Sequence, residues 1–274
     1  MLSYHSGATD ARAAYSRLEN DVMNQAGFMD VAAFFTELHA GLPRQAPGSE
    51  HTTLTLARLV DPGGPVGNVL DIACGPGRAT LALASTFDVV LTATDLHQPY
   101  LDELVAAAEA RSLTDRVTTR VAAMQSLPFD DESFDVVWAE ACIYIMGFDA
   151  ALRQWSRLVR SGGALVVTEC EFTTESPSDP AREYWRTGYP AMRSTAANVA
   201  AATGLGWRVD AVYRLPEADW WLEYYDPLQA RLDATGEVHA PQLRTVLDGT
   251  QDEIDFRRNH ADEYSYTGYV LRKV

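Results

Sequence analysis

The chain has 274 residues, 47% of them hydrophobic, which suits one large α/β domain or one domain with a modest cap. Twenty-two Lys and Arg residues against 38 Asp and Glu residues give a formal net charge of −16. Such a negative field repels phosphate backbones, which disfavours a nucleic-acid partner. No apolar run approaches the roughly 18 residues of a membrane span. The N-terminal residues also lack the basic start and apolar block of a secretory signal.

The three cysteines are Cys74, Cys142 and Cys170, an odd number without a C-x-x-C pair. This pattern argues against a disulfide framework and against a zinc site. We therefore expect a cytoplasmic protein with no structural metal.

Hydrophobic periodicity predicts strands that alternate with helices in the middle of the chain. That alternation indicates a doubly wound parallel sheet, with ligands bound at the carboxyl ends of its strands. The polar and aromatic stretch 171–192 is too long for a plain connection and predicts a lid or substrate-binding insertion. The predicted helices cover 11–40, 52–59, 78–85, 99–111, 150–160, 194–203 and parts of 224–258, and the predicted strands cover 69–72, 89–94, 116–122, 134–138, 164–168, 207–214 and about 264–272.

A glycine-rich turn, D71-I-A-C-G75-P-G77-R, follows the first predicted strand. Glycine lets the backbone approach a ligand, and the next helix presents free N–H groups. The same turn also occurs as a plain strand-to-helix connection. Thr80 occupies the third glycine position of a dinucleotide site, which argues against an oxidoreductase. Asp95 ends the second strand, where a carboxylate can accept both hydroxyls of a ribose.

Four runs occur in a characteristic order: VLDIACGPGRATLALA, TATDLHQPYLDEL, RVAAMQSLPFDDESFDVVWAEACIYIMGF and LRQWSRLVRSGGALVVTECEF. Over about residues 65–172 the chain thereby resembles the class I S-adenosylmethionine-dependent methyltransferases. The resemblance implies a Rossmann-like, mostly parallel seven-stranded sheet with an antiparallel last strand. It also implies a helical N-terminal cap over 1–64 and a cofactor-binding domain over 65–274 that carries the lid insertion.

The resemblance also implies a role for individual cofactor-binding residues. Two positions depart from the family pattern, because Ala73 replaces the first loop glycine and Ala123 replaces a frequent Asp. A backbone carbonyl or Gln125 would then bind the adenine amino group. The implied contacts are Asp71, Ala73, Gly75 and Gly77 with the methionine moiety, Asp95 with the ribose, Leu96, Ala123 and Met124 with the adenine, and Ala139 and Glu140 with the methionine end.

The segment RQAPGS at 44–49 looks like one found in a subgroup of small-molecule methyltransferases. There it lies over the cofactor, so Arg44 and Gln45 are candidates for binding the methionine carboxylate. A helix-breaking loop is the alternative interpretation.

Candidate catalytic residues are Glu140 and Tyr144, since a proton must leave an oxygen or nitrogen acceptor. Glu140 could instead only pair with the cofactor ammonium. Candidate substrate-binding residues are Glu171, Tyr184, Trp185 and Tyr189, although aromatic residues of the lid could equally form a core. We expect methyl transfer to a small molecule through an O, N or C atom. Two alternative functions stay open: a methyltransferase-fold protein with a binding or regulatory role only, and a nucleotide-dependent oxidoreductase. The sequence also leaves a homodimer open as the assembly state.

Overall fold

The computed structural model describes residues 26–61, 63–64, 67–236 and 241–274, so the first part of the predicted helix 11–40 lies outside it. None of the helices within these ranges combines the length and apolar character needed to cross a membrane. The described helices of eight residues or more are α1 (Ala26–His39), α2 (Glu50–Val60), α3 (Arg78–Thr86), α4 (Gln98–Ala110), α5 (Phe148–Trp155), α6 (Asp179–Gly188), α7 (Thr195–Gly204), α8 (Asp226–Ala234) and α9 (Pro241–His260). The strands are β1 (Gly67–Ile72), β2 (Val89–Asp95), β3 (Val117–Val121), β4 (Phe134–Ala139), β5 (Val159–Phe172), β6 (Trp207–Arg214) and β7 (Tyr264–Lys273).

The seven strands form one sheet in the order β3-β2-β1-β4-β5-β7-β6. Strands β1 to β5 pair in parallel, whereas β7 is antiparallel to both of its neighbours, β5 and β6. This topology confirms the predicted Rossmann-like sheet with an antiparallel last strand. The order reverses between β1 and β4, and ligands of doubly wound sheets bind beside that switch point.

Helices cover both faces of the sheet, so the central strands are almost continuously apolar. On one face, Leu70 and Val137 pack with Trp155 of α5. On the other face, Val69 packs with Leu56 of α2 and Leu83 of α3. Burial on both sides therefore anchors β1 and β4, whose carboxyl ends carry the glycine-rich turn and Glu140.

A third, aromatic cluster lies beyond the carboxyl edge of the sheet. It combines Leu38 of α1, Trp185 of α6 and Trp220 with Ile254 of α9 and Tyr264 of β7. The described part of the predicted N-terminal cap thus packs with the lid and the late helices. The division at residue 64 stays a prediction.

Strand β5 is longer than the predicted 164–168, and α5 is shorter than the predicted helix 150–160. The extension has a clear cause, because β5 pairs with β7 in nine consecutive steps from Ala164–Arg272 to Phe172–Tyr264. This pairing places Glu169 and Glu171 inside the sheet. The predicted insertion consequently begins after Phe172.

The predicted lid is not irregular throughout, since α6 occupies Asp179–Gly188. Ser178 caps this helix through a hydrogen bond from the Ala181 N–H to Oγ, 3.3 Å long, and Pro180 lies in its first turn. Ser-Asp-Pro is a recognised helix start signal, so the sequence did contain the information.

Gly77 gives a test of the turn that precedes α3. It has a φ of +82°, and an added Cβ would lie 2.3 Å from Leu104 Cδ1. Gly206, with a φ of +87° and open space around it, is a matched control. Urea denaturation should show that Gly77→Ala destabilises the fold by about 1–3 kcal/mol more than Gly206→Ala does, because only the former overpacks the core. Equal losses would contradict this close approach.

Candidate functional site

The glycine-rich turn after β1 is tied to the end of β2 through Asp95. Its Oδ2 accepts a hydrogen bond from the Gly75 N–H at 2.9 Å, and its Oδ1 accepts one from the His97 N–H at 2.8 Å. Ala73, Gly75 and Gly77 all have positive φ values. The turn therefore folds back sharply enough to bring the carboxyl ends of β1 and β2 together.

Asp71, in β1, is 2% exposed, and its carboxylate accepts a hydrogen bond from the Thr80 hydroxyl of α3. Burial raises the pKa of Asp71 to about 7, although the Thr80 hydrogen bond lowers it in part. The nearby charges of Glu140 and Asp95 raise this pKa further, and Arg44 opposes them. Three carboxyl groups and one guanidinium thus share this edge of the sheet.

Glu140 follows β4 and is held by three donors. Arg44 donates from Nη1 to Oε2 at 2.9 Å, while the Thr53 hydroxyl and the Trp138 indole N–H both donate to Oε1, at 2.7 and 2.9 Å. The side chains of Arg44 and Glu140 are 8% and 11% exposed. Because a buried charge is costly without a partner, this ion pair fixes the position of both residues.

A second carboxylate completes the surroundings of Arg44. Glu223 Oε2 lies 3.3 Å from Arg44 Nε and 2.9 Å from Arg78 Nη2. Glu223 belongs to a π-helical turn, Trp221–Tyr225, of the kind that often occurs at functional sites. The network joins the 44–49 segment, the start of α3 and the late aromatic segment above the glycine-rich turn.

These elements enclose a pocket at the switch point of the sheet. Gln45 closes one side of it, since its amide donates to the His39 carbonyl and its Oε1 accepts from the Tyr100 hydroxyl. The pocket is lined by Arg44, Gln45, Ala46, Pro47, Asp71, Ala73, Cys74, Gly75, Pro76, Arg78, Ala79, Glu140 and Ala141. Most of the residues predicted for the methionine end therefore meet here.

The residues predicted for the adenine are less concentrated. Leu96 is exposed, with 60% of its surface accessible next to Asp95. The Met124 side chain is buried in the core, and its carbonyl accepts a hydrogen bond from the Trp155 indole. The Ala123 carbonyl accepts one from the Ser126 N–H. Ala139 is fully buried in the core, so only its backbone is close to the edge.

The predicted substrate-binding aromatics separate into two groups. Tyr189 and the catalytic candidate Tyr144 meet edge to face, with ring centroids 6.1 Å apart, beside the carboxyl ends of β4 and β5. Tyr184 stacks on Phe256 of α9, and Trp185 packs in the aromatic cluster against Tyr264. Trp185 and Tyr189 are buried members of this cluster and Tyr184 is partly buried against it, so all three have the surroundings of core residues.

Glu171 also has the surroundings of a structural residue. Its carboxylate accepts hydrogen bonds from the hydroxyls of Thr195 and Tyr269 and from the Asn198 amide, and the residue is completely buried. These contacts hold α7 against β5 and β7. The geometry does not favour substrate binding by Glu171, which stays an untested prediction.

Sequence reasoning missed several residues of this site. Thr53 and Trp138 lay within predicted elements as ordinary core positions. Glu223 lies in an aromatic stretch of the sequence, and no local sequence pattern connects it to Arg44, 179 residues away.

The sequence of this chain is similar to a known family model and to several known proteins. Residues 69–163 match the family model of a methyltransferase domain. Methyltransferase GfsG of Streptomyces halstedii is 28% identical over 165 residues, which cover 57% of this chain and 59% of the relative. The 27-O-demethylrifamycin SV methyltransferase of Amycolatopsis mediterranei is 33% identical over 100 residues, covering 36% and 37%. The chain thus spans from about a third to about three fifths of these relatives.

Solved structures share the fold over a greater length. A methyltransferase of Geobacter sulfurreducens in complex with S-adenosyl-L-homocysteine matches with a TM-score of 0.75 and 17% identity, covering 88% of this chain and 98% of that one. The (4+2)-cyclase SpnF matches with a TM-score of 0.69 and 19% identity, covering 98% and 97%. The fold is therefore that of the S-adenosylmethionine-dependent methyltransferases.

Asp71 predicts a pH dependence of stability. Its pKa of about 7 lies above the ordinary value of 3.8, so the folded state holds this proton more tightly than the unfolded state. Its contribution to stability is present at acidic pH and is lost as the pH rises from about 4 to about 7. Asp71→Asn should remove this loss, which amounts to about 1.4 kcal/mol per pKa unit.

Urea denaturation between pH 4.5 and 8 would measure this difference. The variant should gain stability relative to the parent as the pH rises, whereas Asp102→Asn, at an exposed position of α4, is the control. Parallel curves for Asp71→Asn and the parent would contradict the buried carboxyl described above.

Proposed function

We propose that this protein is an S-adenosylmethionine-dependent methyltransferase that acts on a small molecule. The observation that carries the proposal is the buried Arg44–Glu140 pair beside the glycine-rich turn, with Asp95 at the neighbouring strand end. The methyltransferase-domain match over 69–163 and the fold shared with a complex of S-adenosyl-L-homocysteine support it.

The charges at the pocket fit the amino-acid end of this cofactor. Glu140 offers a carboxylate to an ammonium group, and Arg44 offers a guanidinium to a carboxylate, side by side. The turn leaves room for a close approach, because a Cβ added to Gly75 would meet only Gln45 Cγ, at 3.7 Å. A zwitterion therefore finds both of its partners across one short distance.

Asp95 fits the ribose. In the structure each of its oxygens accepts one backbone N–H. A carboxylate oxygen accepts two hydrogen bonds, so one further site remains on each oxygen for a ribose hydroxyl. The bonds to the turn also fix the direction of the carboxylate.

S-adenosylmethionine supplies an electrophilic methyl group on a sulfonium sulfur. The protein orients the acceptor in line with that methyl group and excludes water from the pocket. Tyr144 is partly buried after β4 and packs edge to face on Tyr189, so its ring offers an aromatic wall for an organic acceptor. A small-molecule acceptor is also supported by the relative named for 27-O-demethylrifamycin SV.

The ribose assignment is tested by calorimetric titration with S-adenosyl-L-homocysteine. Asp95→Ala removes two charge-assisted hydrogen bonds, each worth about 1.5–3 kcal/mol, so we expect the dissociation constant to rise at least about 100-fold. Asp102→Ala, on the exposed face of α4, should leave it unchanged. Binding of NADH in place of S-adenosyl-L-homocysteine would instead favour an oxidoreductase.

The role of Glu140 is tested with two ligands that differ only in the amino-acid end. Glu140→Gln should weaken binding of S-adenosyl-L-homocysteine by roughly 10–100-fold, since it removes a charged partner of the ammonium group. Binding of 5′-methylthioadenosine, which lacks that group, should not change. Glu109→Gln, exposed on α4, is the control, and an equal loss for both ligands would exclude ammonium binding by Glu140.

A further inference from the structure

Glu169, near the carboxyl end of β5, is a buried carboxyl group with one oxygen that accepts no hydrogen bond from the described residues. The residue is 2% exposed, and its Oε2 has no hydrogen-bond partner among the described residues. Neighbouring Glu171 is equally buried, but its carboxylate accepts three hydrogen bonds. Because an unsatisfied buried polar group costs free energy, Glu169 needs an explanation that Glu171 does not.

Glu169 lies at the same edge of the sheet as the candidate cofactor site. Val167 pairs with Ala139, the last residue of β4, and the next hydroxyl, that of Thr168, accepts a hydrogen bond from the Ala141 N–H at 2.7 Å. Glu169 follows directly, level with the turn after β4. Strand β5 therefore extends past the end of β4, and Glu169 lies beside the turn that begins with Glu140.

The Cys142 thiol is affected by the charge of Glu169 and by the charges of three carboxyl groups of the candidate cofactor site. Burial raises the pKa of the Cys142 thiol, and the charges of Asp71, Asp95, Glu169 and Glu140 raise it further, in that order. The thiol also donates to the Ile72 carbonyl at the end of β1. One small side chain thus lies within electrostatic range of all four carboxyl groups.

The groups that face Glu169 determine how readily it takes a proton. Burial raises the pKa of Glu169 to about 8 from an ordinary value of 4.5, and the charge of Glu171 adds to this effect. Hydrogen bonding with Tyr189 and the charge of Arg193 lower the pKa in part. At a pH near 8 this carboxyl group is therefore half ionised, and the ionised form can act as a general base.

We propose that Glu169 is the proton acceptor for a hydroxyl group of the molecule that receives the methyl group. The proposal rests on the proposed function. As the oxygen of the acceptor forms its bond to the methyl carbon, the carbon–sulfur bond breaks and its electron pair stays on sulfur. The hydroxyl proton passes to Oε2 of Glu169, so the products are a methyl ether, a neutral thioether and a protonated carboxyl group.

Other candidates for this role are engaged elsewhere or keep their protons. Glu140 accepts hydrogen bonds from Arg44, Thr53 and Trp138. Burial and the charge of Glu169 raise the pKa of Tyr189, so its hydroxyl stays protonated and donates. Tyr189 is therefore a positioning residue that directs the Glu169 carboxyl group, while the buried Oε2 atom has no hydrogen-bond partner among the described residues.

The test measures the protonation of Glu169 directly and requires no known acceptor. Infrared difference spectra between the parent and Glu169→Gln, recorded over pH 6–10, isolate the signal of its protonated carboxyl group. Two complexes are compared: one with S-adenosyl-L-homocysteine, which is neutral at sulfur, and one with sinefungin, which carries an ammonium group near the position of the transferred methyl. We expect the pKa of Glu169 to be about one to two units lower with sinefungin, as for a unit charge roughly 6–12 Å away at an effective dielectric constant of about 20.

Tyr189→Phe provides a second variant if Glu169→Gln fails to fold. Loss of the Tyr189 hydroxyl should raise the pKa of Glu169 in both complexes, while affinity for S-adenosyl-L-homocysteine stays within about twofold of the parent. An identical Glu169 titration in the two complexes would overturn the proposal and leave the proposed function intact. Failure of the parent to bind either ligand would overturn both.

Discussion

A single buried guanidinium, that of Arg44, holds the candidate site together. An ion that is removed from water must be paired, and Arg44 has carboxylate partners on two different elements: Glu140 after β4 and Glu223 in the π-helical turn. The 44–49 segment and α2 are further attached to Asp219, which lies just before this turn. The Gly48 N–H donates to the Asp219 carbonyl, and the Thr52 hydroxyl of α2 donates to the Asp219 carboxylate. Removal of Arg44 would leave two carboxylates facing each other across the pocket.

The concentration of acidic groups at one edge gives the site its chemical character. Asp71, Asp95 and Glu140 lie at this edge, the charge of Glu169 in β5 acts on the same Cys142 thiol as theirs, and burial raises the pKa values of Asp71 and Glu169. Such surroundings favour a ligand with positive charge, and a sulfonium with an ammonium group has two. Because the same field disfavours further negative charge, proton transfer to one of these carboxylates becomes easier than in water.

The pairing of β5 with β7 separates two acidic residues that look alike in the sequence. Both Glu169 and Glu171 point to the same face, since side chains alternate along a strand. Tyr269 of β7 and two residues of α7 reach Glu171 and satisfy it. Glu169 lies two residues nearer to the level at which β4 ends, since Val167 pairs with Ala139, the last residue of β4. Two steps along one strand thus separate a structural carboxylate from a candidate base.

The sequence by itself determined the strand–turn–helix units and the residues that follow them. Asp71, Gly75, Gly77 and Asp95 could be placed at one edge of the sheet because hydrophobic periodicity and glycine positions are local signals, and because parallel strands end at one edge. The tertiary structure alone decided which charged residues meet, since the Arg44–Glu140 and Arg44–Glu223 contacts join residues 96 and 179 positions apart. It also decided the length of β5 and the different surroundings of Glu169 and Glu171, because strand pairing and burial depend on distant partners that no local pattern encodes.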